Sequence, residues 1–510
     1  MPKKMKFDSG ILQFAPKGAY YEEKDAQFKV VNEMWDDLLK FDRALFALIS
    51  ILPGTGFSKG MMNHMLLANP QSATGKELVP EGLAFDFETK VILYNLSKEK
   101  TPRALKNLLF LSGTENRKRV NNARTRKIIL QYIFERDNKS LDYLAVNYKG
   151  KLRSLIRHAI GKQDVHNILN GDHKTFIKII GRYNLDALPV LYHVFGKLIP
   201  NGWTYEPYTQ IMNYENMKRA AIQNDVKTFE KNLRSIPYRT AIGFRNFYKL
   251  DIDKSKILEK GQMSKKEELQ TEAAVKRSGG KARKVDYMKQ DIYDLFKILH
   301  FKAQQDDGDN VEEILLALEH TANNLPKVDI GDVAIILDAS KSMQGSSERP
   351  LHPFLTALSL ITSFKDDSIK QIMTVGGKTI TGGHFPSEVV VPANDTNIAA
   401  AIPKAVKSGA KTIVLISDGY ENTVKGLFDH TFKHFQKKIP DLKFIHLNPV
   451  FSADSKEGTS RMVVKDVKPL PVSSYKFLET EIIFKKMIEN PDMVKSLMVS
   501  KYQKLIGEGS

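Results

Sequence analysis

The chain has 510 residues, no cysteine and a formal net charge of +18. That length exceeds what one hydrophobic core organises, so two or more domains are expected. Hydrophobic content of 42% with 27% charged residues is ordinary for a water-soluble globular protein. The lack of cysteine excludes disulfides, thiolate metal sites and a cysteine nucleophile, and agrees with a reducing compartment.

The opening Met1-Pro-Lys-Lys-Met-Lys is basic, and no secretory apolar core or cleavage site follows it. The longest strongly apolar stretch, Ala44 to Leu52, falls well short of the ~20 residues that span a bilayer. A cytoplasmic location without membrane association is expected. Charge is unevenly placed: residues 331–510 hold 23 basic and 19 acidic residues, a net of +4, which leaves +14 for the rest. Thr101–Gln163 alone holds 15 basic and 4 acidic residues. A local excess of +11 points to a polyanion partner, most economically nucleic acid, against the plainer reading of a solvated basic surface.

From about Gln27 to Ala322, apolar residues recur at three- and four-residue spacing. The pattern runs through Val30–Leu52, Arg103–Leu111, Lys127–Phe134, Leu152–Ile160, His166–Leu169, Phe176–Tyr183, Ala187–Ile199 and Val311–Leu318. Turn residues such as Pro53-Gly54, Gly171-Asp172 and Pro200-Asn201-Gly202 separate the segments. The expectation is an all-α domain over 1–325, an irregular solenoid of HEAT type or a non-repetitive helical domain. Within it, 252–290 is rich in lysine and poor in large apolar residues, and reads as a mobile basic loop.

From 326 to 510 the grammar changes. Asp332–Leu337 is a continuous apolar run, as a buried parallel strand requires. Helical Leu351–Phe364, strands Gln371–Val375 and Glu388–Val391, helical Asn397–Lys407, strand Lys411–Ile416, helical Val424–Lys438 and strand Lys443–Leu447 follow. This alternation predicts a doubly wound α/β domain with helices on both faces.

Ligands of such sheets bind at the carboxyl ends of the strands. Asp338-Ala-Ser340-Lys-Ser342, Thr396 and Asp418-Gly419 stand at three such positions. Mg²⁺ or another hard divalent cation wants about six oxygens and keeps some water. Hydroxyls of Ser340, Ser342 and Thr396 suit direct ligation, with Asp338 and Asp418 supplying charge, often through water. With only two carboxylates the metal stays electron-poor and open to a partner carboxylate or phosphate oxygen. Asp338–Met343, Asp395–Ile398 and Ile416–Gly419 resemble the three metal-site loops of von Willebrand A (vWA) domains.

Gly376-Gly-Lys-Thr379 lacks the first glycine of a phosphate loop, since Ile372 stands there, and reads as a turn. His158, His166, His173 and His193 show no metal-ligand spacing. No serine near Asp338 has an evident general base, so the chain is not expected to be an enzyme.

The basic half concentrates cations in two places. Arg117, Lys118, Arg119, Arg124 and Lys127 flank a polar turn, and Lys149, Lys151, Arg153, Arg157 and His158 follow on a helix. Arg153 and Arg157, four apart, share a face. Such groups hold phosphates while Tyr143 or Tyr148 stacks on an unpaired base; the bland alternative is a solvated helix with tyrosine in the core. A helical half followed by a vWA domain resembles the Ro ribonucleoprotein family with its TROVE module. Tyr148-Lys149 and Leu155-Ile-Arg157-His158 are similar to that family's basic helix pair, and Ser235–Ala241 to a later Pro-Phe-Arg-type turn. The family's Gly-Trp-Ser-His-Arg-Asp stretch is missing, with Gly150-Lys-Leu-Arg153 in its place.

The resemblance implies a ring of helical repeats closed by the vWA domain. It implies a small structured noncoding RNA of Y type on the outer surface and a single-stranded 3′ end of misfolded RNA in the hole. Lys149, Lys151, Arg153, Arg157 and His158 carry over as its phosphate-contacting face. Such a scaffold serves RNA quality control and hands RNA to a nuclease. The alternative is a protein-interaction module whose vWA metal captures a partner carboxylate, for instance in an assembly with an AAA-type ATPase.

Overall fold

The structure, a computed structural model, describes residues 24–68, 83–84, 86–112, 119–197, 206–263, 267, 286–347, 349–380, 389–395, 397–421, 424–450 and 462–506. It divides into two compact units, one from residues 1–58 with 287–510 and the other from residues 59–286. The change from helix to strand near 325 is therefore not where packing divides the chain. Helix Ile292–Gln304 belongs with the sheet: Tyr293 Oη lies 2.8 Å from His352 Nδ1, and His300 Nε2 lies 3.1 Å from the Val390 carbonyl. The chain's early helix Arg43–Ile49 joins the same unit, where Lys495 Nζ donates to Asp42 and Thr480 Oγ1 to the Pro53 carbonyl.

The strands of this unit are β1 (Val333–Ala339), β2 (Gly345–Ser346), β3 (Arg349–Pro350), β4 (Ile369–Gly376), β5 (Lys378–Ile380), β6 (Val389–Val391), β7 (Thr412–Ile416), β8 (Lys443–Asn448) and β9 (Leu470–Pro471). Five of them form a wholly parallel sheet in the order β4-β1-β7-β8-β9. Every residue of β1 is buried, because strands flank it on both edges and helices cover both faces. The period of two sorts its side chains. Ala334 and Ile336 face a core with Ile402, Phe428 and Phe432, while Val333, Ile335 and Leu337 face Phe354, Leu360 and Phe364. Truncating any of these buried phenylalanines to alanine would cost about 3–5 kcal/mol.

Gly376 and Gly377 turn β4 into the β5–β6 hairpin with φ of 79° and 82°, so this glycine pair is the turn its sequence implied. A Cβ on Gly377 would stand 2.8 Å from Val390 Cγ1 and 3.1 Å from Ala339 Cβ, so only glycine lets the hairpin cross the end of β1.

Among the described residues of 59–286 there is no named strand, as expected for an all-α unit. Its helices include Phe87–Lys98, Thr101–Leu109, Ala123–Phe134, Asn138–Leu169, Leu188–Phe195, Thr209–Ile222, Val226–Lys231 and Tyr238–Tyr248. An Asn/Asp-x-x-Ser/Thr pattern starts four helices, Ala123–Phe134, Asn138–Leu169, His173–Phe176 and Val226–Lys231: Asn122, Asp137, Asp172 and Asp225 each accept the N–H of the residue three further on. Hydroxyl and N–H donors from Ser140, Thr175 and Thr228 hold Asp137, Asp172 and Asp225 below the ordinary carboxylate range. The long helix is broken by non-helical backbone at Tyr148 and Gly161, which is why its periodicity reads as separate segments.

One sequence expectation is corrected here. Lys254–Lys260 is a helix, capped by Asp253, not a mobile loop. Its Ile257 and Leu258 are buried with Ile252 against Phe229 and Leu233. Apart from 267, residues 264–285 of the expected loop lie outside the described residues. No helix among the described residues is long and apolar enough to cross a membrane.

A buried carboxylate organises the middle of the helical unit. Asp142 is 2% exposed and accepts the Gln210 and Ile211 N–H groups at 2.6 and 2.8 Å, supplying from outside the cap that helix Thr209–Ile222 lacks. Asp142→Ala is expected to lower stability by about 2 kcal/mol, read as a reduced urea midpoint with unchanged slope.

Candidate metal centre and nucleic-acid interface

The carboxyl ends of β1 and β7 converge on one polar cluster. β1 runs on through Asp338 and Ala339, so Asp338 is a strand residue with no exposed surface. Its Oδ1 accepts the Ser340 N–H at 2.9 Å and its Oδ2 the Ser417 hydroxyl at 2.7 Å. Ser340 Oγ and Ser342 Oγ stand 2.9 Å apart, the first buried and the second exposed. Asp418, 3% exposed, follows β7 and accepts the Tyr420 N–H. Thr396 lies outside the described residues. The chain leading to it rests on this loop, with the Asn394 carbonyl accepting the Lys341 N–H and Ala393 N–H donating to the Ala339 carbonyl.

The donor set can be tested against a hard cation. The Ser340 and Ser342 hydroxyls are hydrogen-bonded to each other at 2.9 Å, a separation that adjacent oxygens around octahedral Mg²⁺ at 2.0–2.1 Å also have, about 2.9 Å. Asp338 has both oxygens occupied by protein donors, which suits charge supplied through water better than direct ligation. Among the described residues there is no group of three or more His, Cys, Asp or Glu side chains able to hold a metal. A cation here would therefore depend on hydroxyls and two carboxylates, the hard oxygen donors that Mg²⁺ prefers.

Two supporting residues escaped the sequence reading. Ser417 links β7 to Asp338, and His446 on β8 stands 3.0 Å from the Ser417 carbonyl through Nε2. Burial pushes His446 down to about 4, so the ring is neutral and Nε2–H donates. Its signal was a histidine inside the apolar run Phe444–Leu447.

In the helical unit, the predicted cations divide into two groups. Arg124 turns inward, pairing with buried Glu88 at 3.0 Å and donating to Thr89 Oγ1. Arg153 directs Nε and Nη2 to the Val194 carbonyl at 3.0 and 2.8 Å, capping helix Leu188–Phe195 where its last carbonyls lack partners. His158 is 5% exposed, with Nε2 2.8 Å from the Val120 carbonyl and Nδ1 accepting from Arg119 Nε. Burial lowers its pKa and keeps it neutral. Lys149 and Lys151 are half-buried, lowered by desolvation, and lie over the rings of Tyr214 and Tyr148.

Arg119, Lys127 and Arg157 are exposed, Arg157 with its guanidinium 5.3 Å from the Phe195 ring centre. Tyr143 is exposed and meets Tyr148 edge-on at 6.4 Å. Arg117 and Lys118 lie outside the described residues.

The crystal structure of the Deinococcus radiodurans Ro (RSR) protein is similar over 87% of this chain and 90% of that one, at 12% sequence identity and a TM-score of 0.41. No protein-family model and no curated protein matches the chain.

Arg153→Ala is expected to lower the urea midpoint by the equivalent of about 1–3 kcal/mol, and Arg157→Ala to leave it unchanged. His158 adds a pH dependence. Its folded pKa lies below the ordinary 6.5, so the unfolded chain protonates first. The stability it contributes is complete above that value and is lost as pH falls below it, by at most about 1.4 kcal/mol per pH unit. Thermal midpoints between pH 7.5 and 5.5 should fall less steeply for His158→Gln than for the native chain.

Proposed function

We propose that this protein is an RNA-binding scaffold of the Ro type, which acts by holding RNA and partners rather than by catalysis. The observation that carries the reading is the +11 excess over Thr101–Gln163, part of which stays on the surface as Arg119, Lys127 and Arg157. Phosphate oxygens are the economical counterpart of such a field. A small structured noncoding RNA and the single-stranded 3′ end of a misfolded RNA are the proposed cargo. A nuclease is the proposed recipient.

The decisive experiment is fluorescence anisotropy across a salt series, using a hairpin RNA with a 3′ single-stranded tail and its blunt counterpart. Tight binding that prefers the tail and weakens steeply with salt is expected. No binding of either RNA at physiological salt overturns the reading.

A second reading concerns the sheet unit and rests on the Ser340–Ser342 pair. These hydroxyls, with Asp338, Asp418 and Thr396, would hold Mg²⁺, which there would act as a Lewis-acidic anchor for a partner's carboxylate or phosphate oxygen. Mg²⁺ should raise the thermal midpoint of the native chain. Ser342→Ala, altering an exposed hydroxyl, and Asp338→Asn should each remove that rise. A rise that survives in both variants would place the cation elsewhere.

A further inference from the structure

Helix Tyr238–Tyr248 carries a large aromatic side chain where solvation disfavours it. Phe247 is 78% exposed, the most exposed of the large apolar side chains described. Its ring is steered by Tyr248, which it meets edge-on at 4.9 Å and 82°. Tyr248 in turn leans on Phe244 at 6.1 Å, Phe244 on Tyr214 at 5.2 Å, and Tyr214 on His193 at 4.9 Å. The exposed ring is thus the outer end of an aromatic run anchored in three helices.

A helical side chain leans back over the residues three and four before it. For Phe247 the residue four before is Gly243, which is exposed, and a Cβ built there meets nothing within 4 Å. Glycine inside a helix costs about 1 kcal/mol relative to alanine. Here it leaves the space beside the Phe247 ring uncluttered.

The charges around this run are mixed and net cationic. Lys149 lies over the Tyr214 ring at 5.2 Å, where the Glu215 carboxylate attracts its charge and Lys218 and Arg153 repel it. Residues 209–249 hold eight basic and three acidic residues, a net of +5. Exposed Arg219 stands on helix Thr209–Ile222, and exposed Lys249 directly follows helix Tyr238–Tyr248, two residues beyond Phe247. Cations near a single bare ring suit a nucleic acid, whose bases stack while its phosphates pair.

We propose that Phe247, with the space above Gly243, is a stacking platform for an unpaired RNA base, its backbone held by the exposed Lys249 and Arg219. The platform rests on the RNA-binding reading above and adds to it a residue that distinguishes single-stranded from paired RNA, since a paired base hides its faces in the duplex.

Anisotropy with oligouridine and with a blunt RNA duplex tests it, using the full chain and the variants Phe247→Ala, Phe247→Tyr and Gly243→Leu. Phe247→Ala and Gly243→Leu should weaken oligouridine binding about five-fold or more and leave duplex binding unchanged, while Phe247→Tyr restores it. In Phe247→Trp, oligouridine should quench the exposed indole.

Native oligouridine affinity in Phe247→Ala overturns the platform while leaving the RNA reading intact. Equal losses for oligouridine and duplex also overturn it, as a general effect on the surface. If the native chain binds neither RNA, the underlying reading fails and the platform with it. An indole that responds to phosphatidylserine vesicles but not to oligouridine would assign the ring to a lipid surface instead.

Discussion

Asp338 places a carboxylate with no exposed surface at the end of an otherwise apolar strand. Leaving water costs such a group several kcal/mol unless donors replace it. Ser340 N–H replaces it from the following turn and the Ser417 hydroxyl from the residue just after β7. The carboxylate therefore fixes two things at once: the curl of the Asp-x-Ser-x-Ser loop and the alignment of the β1 and β7 ends. The two hydroxyls at the loop's mouth come together because the buried end of that loop is already pinned. Removing Asp338 would disturb the sheet as well as any cation, which makes Ser342 the cleaner probe of metal binding.

The helical unit handles its charge differently. Several of its cations are consumed internally, Arg124 by buried Glu88 and Arg153 by the Val194 carbonyl. One contact neutralises a buried carboxylate and the other serves a helix-end carbonyl. Arg119 is split between roles, exposed yet donating to neutral His158. The net charge of a segment is thus an upper bound on what it offers a polyanion. The useful cations are those whose side chains the fold does not spend.

Much of the architecture was legible because it depends on local pattern. The strand-helix alternation after 326 gave the order of elements, and the breaks in apolar period near Tyr148 and Gly161 match the non-helical backbone there. Other features depend on contacts that no local pattern encodes. Helix Ile292–Gln304 reads as one more member of the helical half, yet Tyr293 and His300 fix it to the sheet unit. Lys254–Lys260 looked solvated because lysine dominates its composition, although two apolar residues suffice to seat one face. Arg153 and Arg157 are equivalent by spacing, and only the carbonyl beside one of them separates a structural cap from an exposed charge. His446 was hidden for a similar reason, since a polar residue in an apolar strand is informative only once its neighbour is known, and so was Ser417 just past the end of β7.

The two units also differ in what completes them. Asp142 is satisfied by two backbone N–H groups within the fold, and Asp137 and Asp172 each by an N–H and a hydroxyl. The cluster at β1 and β7 has its carboxylate satisfied from within while a hydroxyl, that of Ser342, faces outward. A cation held by neutral hydroxyls and two carboxylates keeps more of its charge than one in an all-carboxylate cage, and so favours an anionic oxygen from another molecule. Phosphate on the helices needs no such ion, because arginine and lysine already carry the charge. The physical requirements of the proposed RNA binding and of the proposed metal-mediated capture are therefore separable within one chain, each drawing on its own set of residues.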